Sequence, residues 1–385
     1  MSTISTAVGL ERKARVSGYK IKKGFFSNKT NNLPQIIAVF GEANTSNQAG
    51  LGVTPVEVTS ANQAGDLFGY GSPIHQIMRI LRPISGDGVG GIPTVVFPQV
   101  TDEDATAATL DFTVTGTATE NATHSVVING RESVDFIGYD YSVVKGDTAA
   151  KIAEKIADAV NSNLNSPVTA TVLSNVVTFT TKWKGATSSQ IKVEFDKRGK
   201  EAGLTYAKTD YSNGSGDVNL ASSFALFGDT WYTSIVNPYD NKLDQFEAFN
   251  GFPDDNTPTG RYSGLIFKPF MAFTGTLVSD VNDLIDVSND EARRNQCTNV
   301  ICPAPNSNAF SWEVAANYVA IFARIMQDTP HLDVNNKSLP DCPIPADGLI
   351  GEMSDYNNRD LLVKKGCSTV ILENGAYKIQ DLVTT

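Results

Sequence analysis

The sequence predicts an α/β protein, with a mostly parallel, doubly wound main domain, an inserted β-rich α+β domain and an extended N-terminal arm. Three observations predict this fold. Apolar strands alternate with helical patterns between residues 220 and 330. A Thr- and Val-rich stretch with period-two alternation lies before them, between residues 101 and 219. Basic residues are concentrated near the N-terminus. Strands that alternate with helices imply right-handed crossovers and a parallel sheet covered on both faces.

The length of 385 residues predicts two or three domains rather than one core. We expect the arm to span residues 1–33. The main domain is discontinuous, at residues 34–100 plus 220–338. Residues 101–219, called the insert below, are expected to project outward, because their removal leaves a contiguous α/β body. A Pro-rich connector and the start of a C-terminal region occupy residues 339–385.

Composition excludes several classes of protein. Hydrophobic residues make up 41% of the chain and charged residues 19%, which is typical of a globular protein. The net charge of -11 argues against nucleic acid as a partner. The sequence contains no signal-peptide core and no apolar run of membrane-spanning length, so we expect no membrane insertion. Four cysteines without Cys-x-x-Cys spacing predict reduced, mostly buried thiols in a cytoplasmic product.

The first half of the main domain begins with an apolar strand at residues 36–40 and a second β-rich run at 56–59. Ser72 is a predicted helix cap, and Pro73 suits the first turn of a helix whose apolar side chains recur at helical spacing through Leu81. A glycine-rich turn then leads into the strand at 94–97.

The insert is predicted to be a compact sheet with one helix. Asn129-Gly130 supplies the positive φ of a tight turn between strands 126–128 and 134–136. Asp147 or Thr148 caps a helix with one apolar face. A second hairpin turns at Ser174-Asn175, and residues 191–195 alternate again. Charged loops at 197–201 and 208–217 are interpreted as the link back to the main domain.

The second half repeats strand and helix three times. The predicted strands are 233–237, 263–267 (extending toward 273) and 298–302, and the predicted helices are 242–249, 278–287 and 312–326. The last helix is apolar around most of its circumference, which predicts burial. The C-terminal region is predicted to hold a helix at 359–365 and strands at 368–372 and 376–379.

No motif predicts catalytic, cofactor-binding or metal-binding residues. The glycines at 86–91 follow a helix and precede a strand, which is the reverse of the order in a phosphate-binding loop. His75, His124 and His331 have no catalytic serine placed beside them, and we interpret them as structural. Acidic residues cluster at 254–255 and 283–291, where a solvated helix face is favoured over a metal site.

The arm is the predicted interaction site. Residues 1–29 carry seven basic side chains and one acid, about +6, which leaves about -17 on the rest of the chain. Alternation favours a strand that can be added to a sheet edge, with Tyr19, Ile21 and Phe25 on one face, although a solvated tail is the alternative. The predicted subunit-interaction residues are Arg12, Lys13, Arg15, Tyr19, Lys20, Lys22 and Lys23.

Three stretches in this order resemble the tail sheath proteins of contractile phages in the Mu-like branch. They are Val16–Gly24 through Leu33–Asn44, Leu67–His75, and Asp147–Ala157 followed by Pro167–Val172, and the body around Trp312–Tyr318 fits as well. Together they are distributed along most of the chain. Family members usually continue past the equivalent of Asp381–Thr385, so this chain is expected to be a short member or a truncated form, and tube-gripping residues are not assigned.

The resemblance implies a structural subunit and no enzyme or cofactor. Its members polymerise helically around a tail tube, join neighbouring sheath subunits through terminal arms, and contract to drive the tube through the host cell envelope. The implied partners are other sheath subunits, the tail tube protein, and the baseplate and tail terminator proteins. The implied location is the virion tail, assembled in the host cytoplasm. Two alternatives stay open from the residues themselves: an α/β enzyme that binds a nucleotide or sugar, with the insert as an accessory domain, and a surface adhesin.

Overall fold

A computed structural model describes residues 34–86, 88–251, 260–262, 266–278, 280–288, 298–344 and 352–383. The strands of the main sheet are β1 (Ile37–Glu42), β2 (Val56–Glu57), β3 (Thr94–Gln99), β13 (Ser234–Asn237), β14 (Met271–Thr276) and β15 (Asn299–Pro303). The strands of the insert are β4 (Thr109–Thr115), β5 (Ala122–Ile128), β6 (Ser133–Val134), β7 (Ile137–Gly138), β8 (Asp140–Val143), β9 (Val168–Leu173), β10 (Val176–Thr181), β11 (Val193–Asp196) and β12 (Thr205–Ser212). A C-terminal hairpin consists of β16 (Thr369–Glu373) and β17 (Ala376–Asp381).

The described helices lie between these strands. They are α1 (Ala61–Phe68), α2 (Pro73–Leu81), α3 (Ala149–Asn161), α4 (Ala221–Ala225), α5 (Leu243–Asn250), α6 (Val281–Ser288), α7 (Ser311–Asp328) and α8 (Tyr356–Lys364). The predicted N-terminal caps of α2 and α3 are present. The Ser72 side chain accepts a hydrogen bond from the His75 amide, and the Thr148 side chain accepts one from the Lys151 amide. The sequence reasoning missed α1, which lies just before the predicted helix.

The main sheet has the strand order β15-β14-β13-β1-β3-β2. Five neighbouring strands are parallel, and only β2 runs antiparallel, at the edge beside β3. The chain moves from β1 to β3 on one side and later returns to place β13 on the other side of β1. The connections therefore change direction at β1, as they do in flavodoxin-like sheets.

Both faces of this sheet are covered. In β1, Ile37 and Val39 belong to a core cluster that also holds apolar residues of α2 and α7, whereas Ala38 and Phe40 belong to a second cluster with aromatic residues of α4 and α5. Alternate side chains of a strand point to opposite faces, so the two clusters lie on opposite sides of the sheet. The doubly wound description of the main domain stays a prediction, and the strand order and the covered faces support it.

The insert contains three described sheets, with orders β12-β4-β10-β9, β11-β5-β8 and β6-β7. Helix α3 covers the two larger sheets with its predicted apolar face of Ile152, Ile156 and Val160, all fully buried. The predicted second hairpin is confirmed as β9 and β10, with Ser174 at a φ of 60° in its turn. Residues of the insert and of the main domain belong to one continuous core cluster. The domain boundaries and the outward direction of the insert stay predictions.

Two local predictions were wrong, and a third is tested only in part. Asn129 and Gly130 do form a positive-φ turn, but β6 pairs with β7 rather than with β5, whose neighbours are β11 and β8. Residues 208–212, interpreted as a loop, belong to β12, an edge strand. Most side chains of β12 are exposed on both faces of the strand. The strand therefore needs no alternation of apolar and polar residues, and the sequence pattern did not indicate it. The strand predicted at 263–267, extending toward 273, is tested only in part: residues 266–267 are not in a strand, β14 begins at Met271 within the predicted extension, and residues 263–265 lie outside the described residues.

Candidate functional site at the carboxyl edge of the sheet

All seven predicted subunit-interaction residues lie outside the described residues: Arg12, Lys13, Arg15, Tyr19, Lys20, Lys22 and Lys23. The role of the arm therefore stays a prediction. The described part of the chain instead draws attention to the place where the main sheet changes direction. In open α/β sheets, ligands bind at the carboxyl ends of the strands at such a point.

Glu42 ends β1, and Tyr239 follows the end of β13, so both residues lie at this edge of the sheet. At this edge, a cavity of about 210 Å³ lies between residues of the main domain and residues of the insert. Its lining residues come from both parts: Glu42, Ala186, Thr187, Gln190, Gly216, Asp217, Val218, Pro238, Tyr239, Asp240 and Asn241. The insert therefore occupies the position at which a doubly wound enzyme would admit a ligand.

Glu42 is the chemically unusual residue of this site. Its side chain is 1% exposed, and Thr187 Oγ1 donates a hydrogen bond of 2.8 Å to its Oε1. Burial raises the pKa of Glu42 to about 7. The Tyr239 hydroxyl lies close enough to this carboxyl group to oppose part of the effect of burial on the pKa of Glu42. Burial, followed by the nearby charge of Glu42, also raises the pKa of Tyr239.

Further contacts fix the insert to the start of α7. Gln190 and Ser311 exchange two hydrogen bonds of 2.8 Å, one between their side chains and one from the Ser311 amide to Gln190 Oε1. Arg131 Nη1 lies 3.1 Å from Glu313 Oε2, and that oxygen also accepts from the Phe310 amide at 2.9 Å. Since Glu313 is 2% exposed, the pair joins the insert to the helix start in a poorly hydrated place.

Aromatic packing strengthens the same junction. Trp183 of the insert packs edge-on against Phe310 and Trp312, which are stacked on each other with ring centroids 4.5 Å apart. Trp312 Nε1 donates to Gln76 Oε1 at 2.8 Å, which connects α7 to α2. Because Trp183 and Trp312 are fully buried, the junction is a packed core rather than an open cleft. The arrangement can position the insert, and Glu42 can take up or release one proton.

The structure supports the interpretation of two histidines as structural. His75 Nδ1 accepts from the Gly71 amide at 3.1 Å, and burial lowers the pKa of His75 to about 4. His124 is fully buried, with Nδ1 2.6 Å from the Tyr206 hydroxyl and Nε2 2.8 Å from the Lys200 carbonyl. His331 is exposed in a turn after α7.

The glycine-rich segment is a structural turn, as predicted. Gly86, Gly88 and Gly90 have positive φ values, and a Cβ at Gly88 would lie 2.3 Å from the Leu81 carbonyl oxygen. The Arg82 guanidinium bonds to the carbonyl oxygens of Gly90 and Ile92 and so occupies the turn itself.

Metal-ligating groups do not converge within the described residues, where no cluster of three His, Cys, Asp or Glu side chains could hold a metal ion. Asp283 is exposed on α6, while residues 254–255 and 290–291 lie outside the described part of the chain. Cys302, Cys342 and Cys367 are free and buried, as predicted, and Cys297 lies outside the described residues. Burial raises the pKa of these three thiols, so they stay protonated at neutral pH.

Sequence reasoning did not single out Glu42, Thr187 or Gln190. One feature of the sequence could have indicated Glu42 as a site residue: it is an acidic residue that closely follows a run of apolar strand residues. Thr187 and Gln190 lie about 145 residues away in a polar segment, and nothing in the local sequence connects them to that strand.

Comparison with known proteins gives one informative match. The chain is 27% identical over 328 residues to the Mu-like prophage FluMu tail sheath protein of Haemophilus influenzae. The match covers 83% of this chain and 62% of that relative, so the chain spans about three fifths of the relative's length. No protein-family model matches the sequence. Among the helices of the described residues, none is long and apolar enough to cross a bilayer. The match confirms the predicted relationship to Mu-like tail sheath proteins.

Proposed function

We propose that this relative of Mu-like tail sheath proteins is a subunit of a contractile phage tail sheath. In this proposal, copies polymerise helically around a tail tube in the virion and contract to drive the tube through the host cell envelope. The observation that carries the proposal is the match to a tail sheath protein over 83% of the chain. The proposed partners are neighbouring copies, the tail tube protein, and the baseplate and tail terminator proteins. The proposed site of assembly is the host cytoplasm.

The division of charge supports self-association. Residues 1–29 carry about +6 and the remainder about -17. A basic segment of one copy is therefore attracted to the acidic body of another copy. Such a contact joins two different surfaces. Repetition of a contact of this kind gives an open helical polymer when the rotation does not close into a ring.

The rigidity of the body supports a mechanical role. The insert and the main domain share a core and are joined by polar pairs at Glu42, Ser311 and Glu313. A body of this kind can rotate as a unit while the contacts between copies change. The free energy of contraction then comes from subunit packing, released from a kinetically trapped extended state.

The enzyme alternative rests on the cavity at the carboxyl edge of the sheet and on the raised pKa of Glu42. Thr187 and Gln190 of the insert line this cavity, and its volume of about 210 Å³ is below the usual range for small-molecule sites. The hydroxyl beside Glu42, that of Thr187, is buried and also accepts a hydrogen bond from Trp183 Nε1, so this pair serves as a packing contact of the junction. A nucleotide or sugar ligand would have to displace this packing.

Charge neutralisation in the arm tests the proposal. We expect Lys20→Gln, Lys22→Gln and Lys23→Gln, combined in one full-length chain, to weaken self-association in sedimentation velocity and to shorten or abolish polymers in electron micrographs. The matched control is a full-length chain with the lysine-to-glutamine substitution at three exposed residues of the body, Lys151, Lys200 and Lys364. This control changes the net charge equally, so a specific role of the arm predicts normal assembly for it.

Two results would count against the proposal. If both triple variants assemble equally well, the basic residues of the arm do not contribute to assembly. If the wild-type chain stays monomeric at every concentration, it does not polymerise.

A further inference from the structure

The tip of the β6–β7 hairpin presents a fully exposed aromatic side chain in an unfavourable backbone conformation. Val134 pairs with Ile137, and the two residues of the turn, Asp135 and Phe136, have φ values of 50° and 68°. Such turns favour asparagine and glycine at both positions. A bulky residue at positive φ is an outlier, and Phe136 is 99% exposed, so burial does not offset the strain.

The surrounding side chains hold this turn in place. Arg79 Nη2 of α2 lies 2.8 Å from Asp135 Oδ1, and Asn165 Nδ2 donates to Asp135 Oδ2 at 2.6 Å. Asn163 Nδ2 donates to the Ile137 carbonyl at 2.9 Å. The turn is therefore fixed from α2 and from the segment after α3. A rigid aromatic side chain presented in this way loses little conformational freedom on binding, which is typical of an interaction hot spot.

Phe136 stands beside a cleft of about 330 Å³ at one end of α7. Ile84, 73% exposed, lines the same cleft, and Glu313 of the first turn of α7 forms part of its wall. The charged residues that line it carry a net charge of -1: Arg79, Arg131, Asp135, Glu313 and Asp341. We call Phe136 and Ile84 the knob.

A groove of about 300 Å³, lined by both apolar and charged residues, lies at the other end of the same helix. Ile321, Ile325 and Leu332 line it, and Leu332 is 46% exposed. The charged residues that line it carry a net charge of +1: Arg324, Asp328 and Lys337. Glu313 and Ile325 are twelve residues apart on α7, or about 18 Å along its axis at 1.5 Å per residue. The knob and the groove are thus two separate surfaces of opposite net charge.

We propose that the knob of one copy docks into the groove of a second copy of this chain. The contact is heterologous, because it joins two different surfaces at opposite ends of α7. Each copy keeps a free knob or a free groove, so the contact can be repeated without closing. The size of the groove and its three apolar residues, Ile321, Ile325 and Leu332, suit an aromatic side chain. The opposite net charges favour this pairing over knob against knob. This inference rests on the proposed function, because it supplies one of the contacts between copies.

Cysteine cross-linking tests the pairing in full-length protein. Phe136→Cys and Leu332→Cys are made in separate chains, mixed, and oxidised under mild conditions. A disulfide requires Cα atoms within about 7 Å of each other, so it reports direct proximity. We expect a covalent dimer in the mixture and in neither variant alone. Leu173→Cys is the matched control for the knob position, because Leu173 is also apolar and 82% exposed at a hairpin of the insert. The wild-type chain gives the background from the native cysteines.

The outcomes separate this inference from the proposed function. A dimer specific to the Phe136→Cys and Leu332→Cys mixture supports it. If the wild-type chain self-associates, this mixture gives no dimer above the Leu173→Cys control, and Phe136→Ala self-associates as strongly as Leu173→Ala, the inference fails and the proposed function stands. A dimer formed by Phe136→Cys alone shows knob-to-knob contact and overturns it as well. If the wild-type chain does not self-associate, both fail.

Truncation provides a second measurement. We expect Phe136→Ala to weaken self-association by roughly tenfold or more, as removal of a hot-spot aromatic does. We expect Leu173→Ala to leave self-association unchanged. Equal affinities for the two variants would contradict the proposed role of the knob.

Discussion

Thr187 Oγ1 donates a hydrogen bond of 2.8 Å to Glu42 Oε1, across 145 positions of sequence, and this bond connects the insert to the carboxyl end of the first parallel strand. Trp183 Nε1 in turn donates to Thr187 Oγ1 at 3.2 Å, so the threonine is held in its orientation. The acceptor is a carboxyl group with 1% exposure. Burial of the charged form is costly, so the protonation of Glu42 is coupled to the stability of the fold.

The first prediction concerns the pH dependence of stability. The pKa of Glu42 is raised from 4.5 to about 7 in the folded chain, so the stabilisation from its protonation is complete below about pH 4.5 and is lost as the pH rises through 7. Glu42→Gln resembles the protonated form at every pH. We therefore expect the variant to exceed the wild type in free energy of unfolding at pH 8 by on the order of 3 kcal/mol, and to match it near pH 4.5, in urea denaturation. A difference that does not change with pH would show that Glu42 does not titrate in this range.

The second prediction concerns the contact between α7 and the main sheet. A Cβ at Gly275 of β14 would lie 1.8 Å from the Ser311 carbonyl oxygen and 3.0 Å from Val314 Cβ. Gly275→Ala therefore forces the helix away from the sheet, and we expect a loss of about 3 kcal/mol or more, as for severe overpacking. Gly91→Ala is the matched control, because nothing lies within 4 Å of its added Cβ. Thermal unfolding of both variants checks this, and equal melting temperatures would contradict it.

The third prediction concerns the ion pair between the insert and α7. Arg131 is 19% exposed at its side chain and Glu313 only 3%. Arg131→Met leaves the carboxylate of Glu313 poorly hydrated without its counter-ion, although the Phe310 amide still donates to it. We expect a loss of about 2 kcal/mol, below the full effect at a completely buried pair. Adding Glu313→Gln to Arg131→Met removes the unpaired charge and should recover part of the loss. A double-mutant cycle by urea denaturation measures the coupling, and additive effects would refute it.

The fourth prediction concerns salt. If the arm of about +6 binds acidic surfaces of other copies, added salt screens the attraction between them. We expect the apparent dissociation constant of self-association to rise as sodium chloride is increased, as measured by sedimentation equilibrium. The Lys20, Lys22 and Lys23 triple variant should show a smaller salt dependence. If self-association strengthens as salt is added, apolar contacts rather than charge attraction make the main contribution to its free energy.

Long, strongly periodic elements could be predicted from the sequence. Helix α2 was identified from its cap at Ser72 and its apolar spacing, and α7 from its apolar circumference. The hairpin of β9 and β10 was identified from alternation on both sides of a polar turn. In these elements, the local pattern and the tertiary packing favour the same structure.

Pairings between distant segments could not be predicted in the same way. The edge strand β12 has polar residues on both faces, so it lacks the alternation that indicates a strand. The turn at Asn129 and Gly130 was recognised, but tertiary contacts gave β5 other partners. The bond between Glu42 and Thr187 depends on how the insert folds onto the sheet, and no local propensity encodes it. The knob at Phe136 was hidden because phenylalanine usually indicates a core strand.

Electron microscopy of the purified full-length chain over a range of concentrations tests the central claim most directly, which is that the protein acts through ordered self-association. We predict helical polymers or stacked rings of copies that grow with concentration, and that the Lys20, Lys22 and Lys23 triple variant forms fewer of them. Uniform single particles at every concentration, for both chains, would contradict the account.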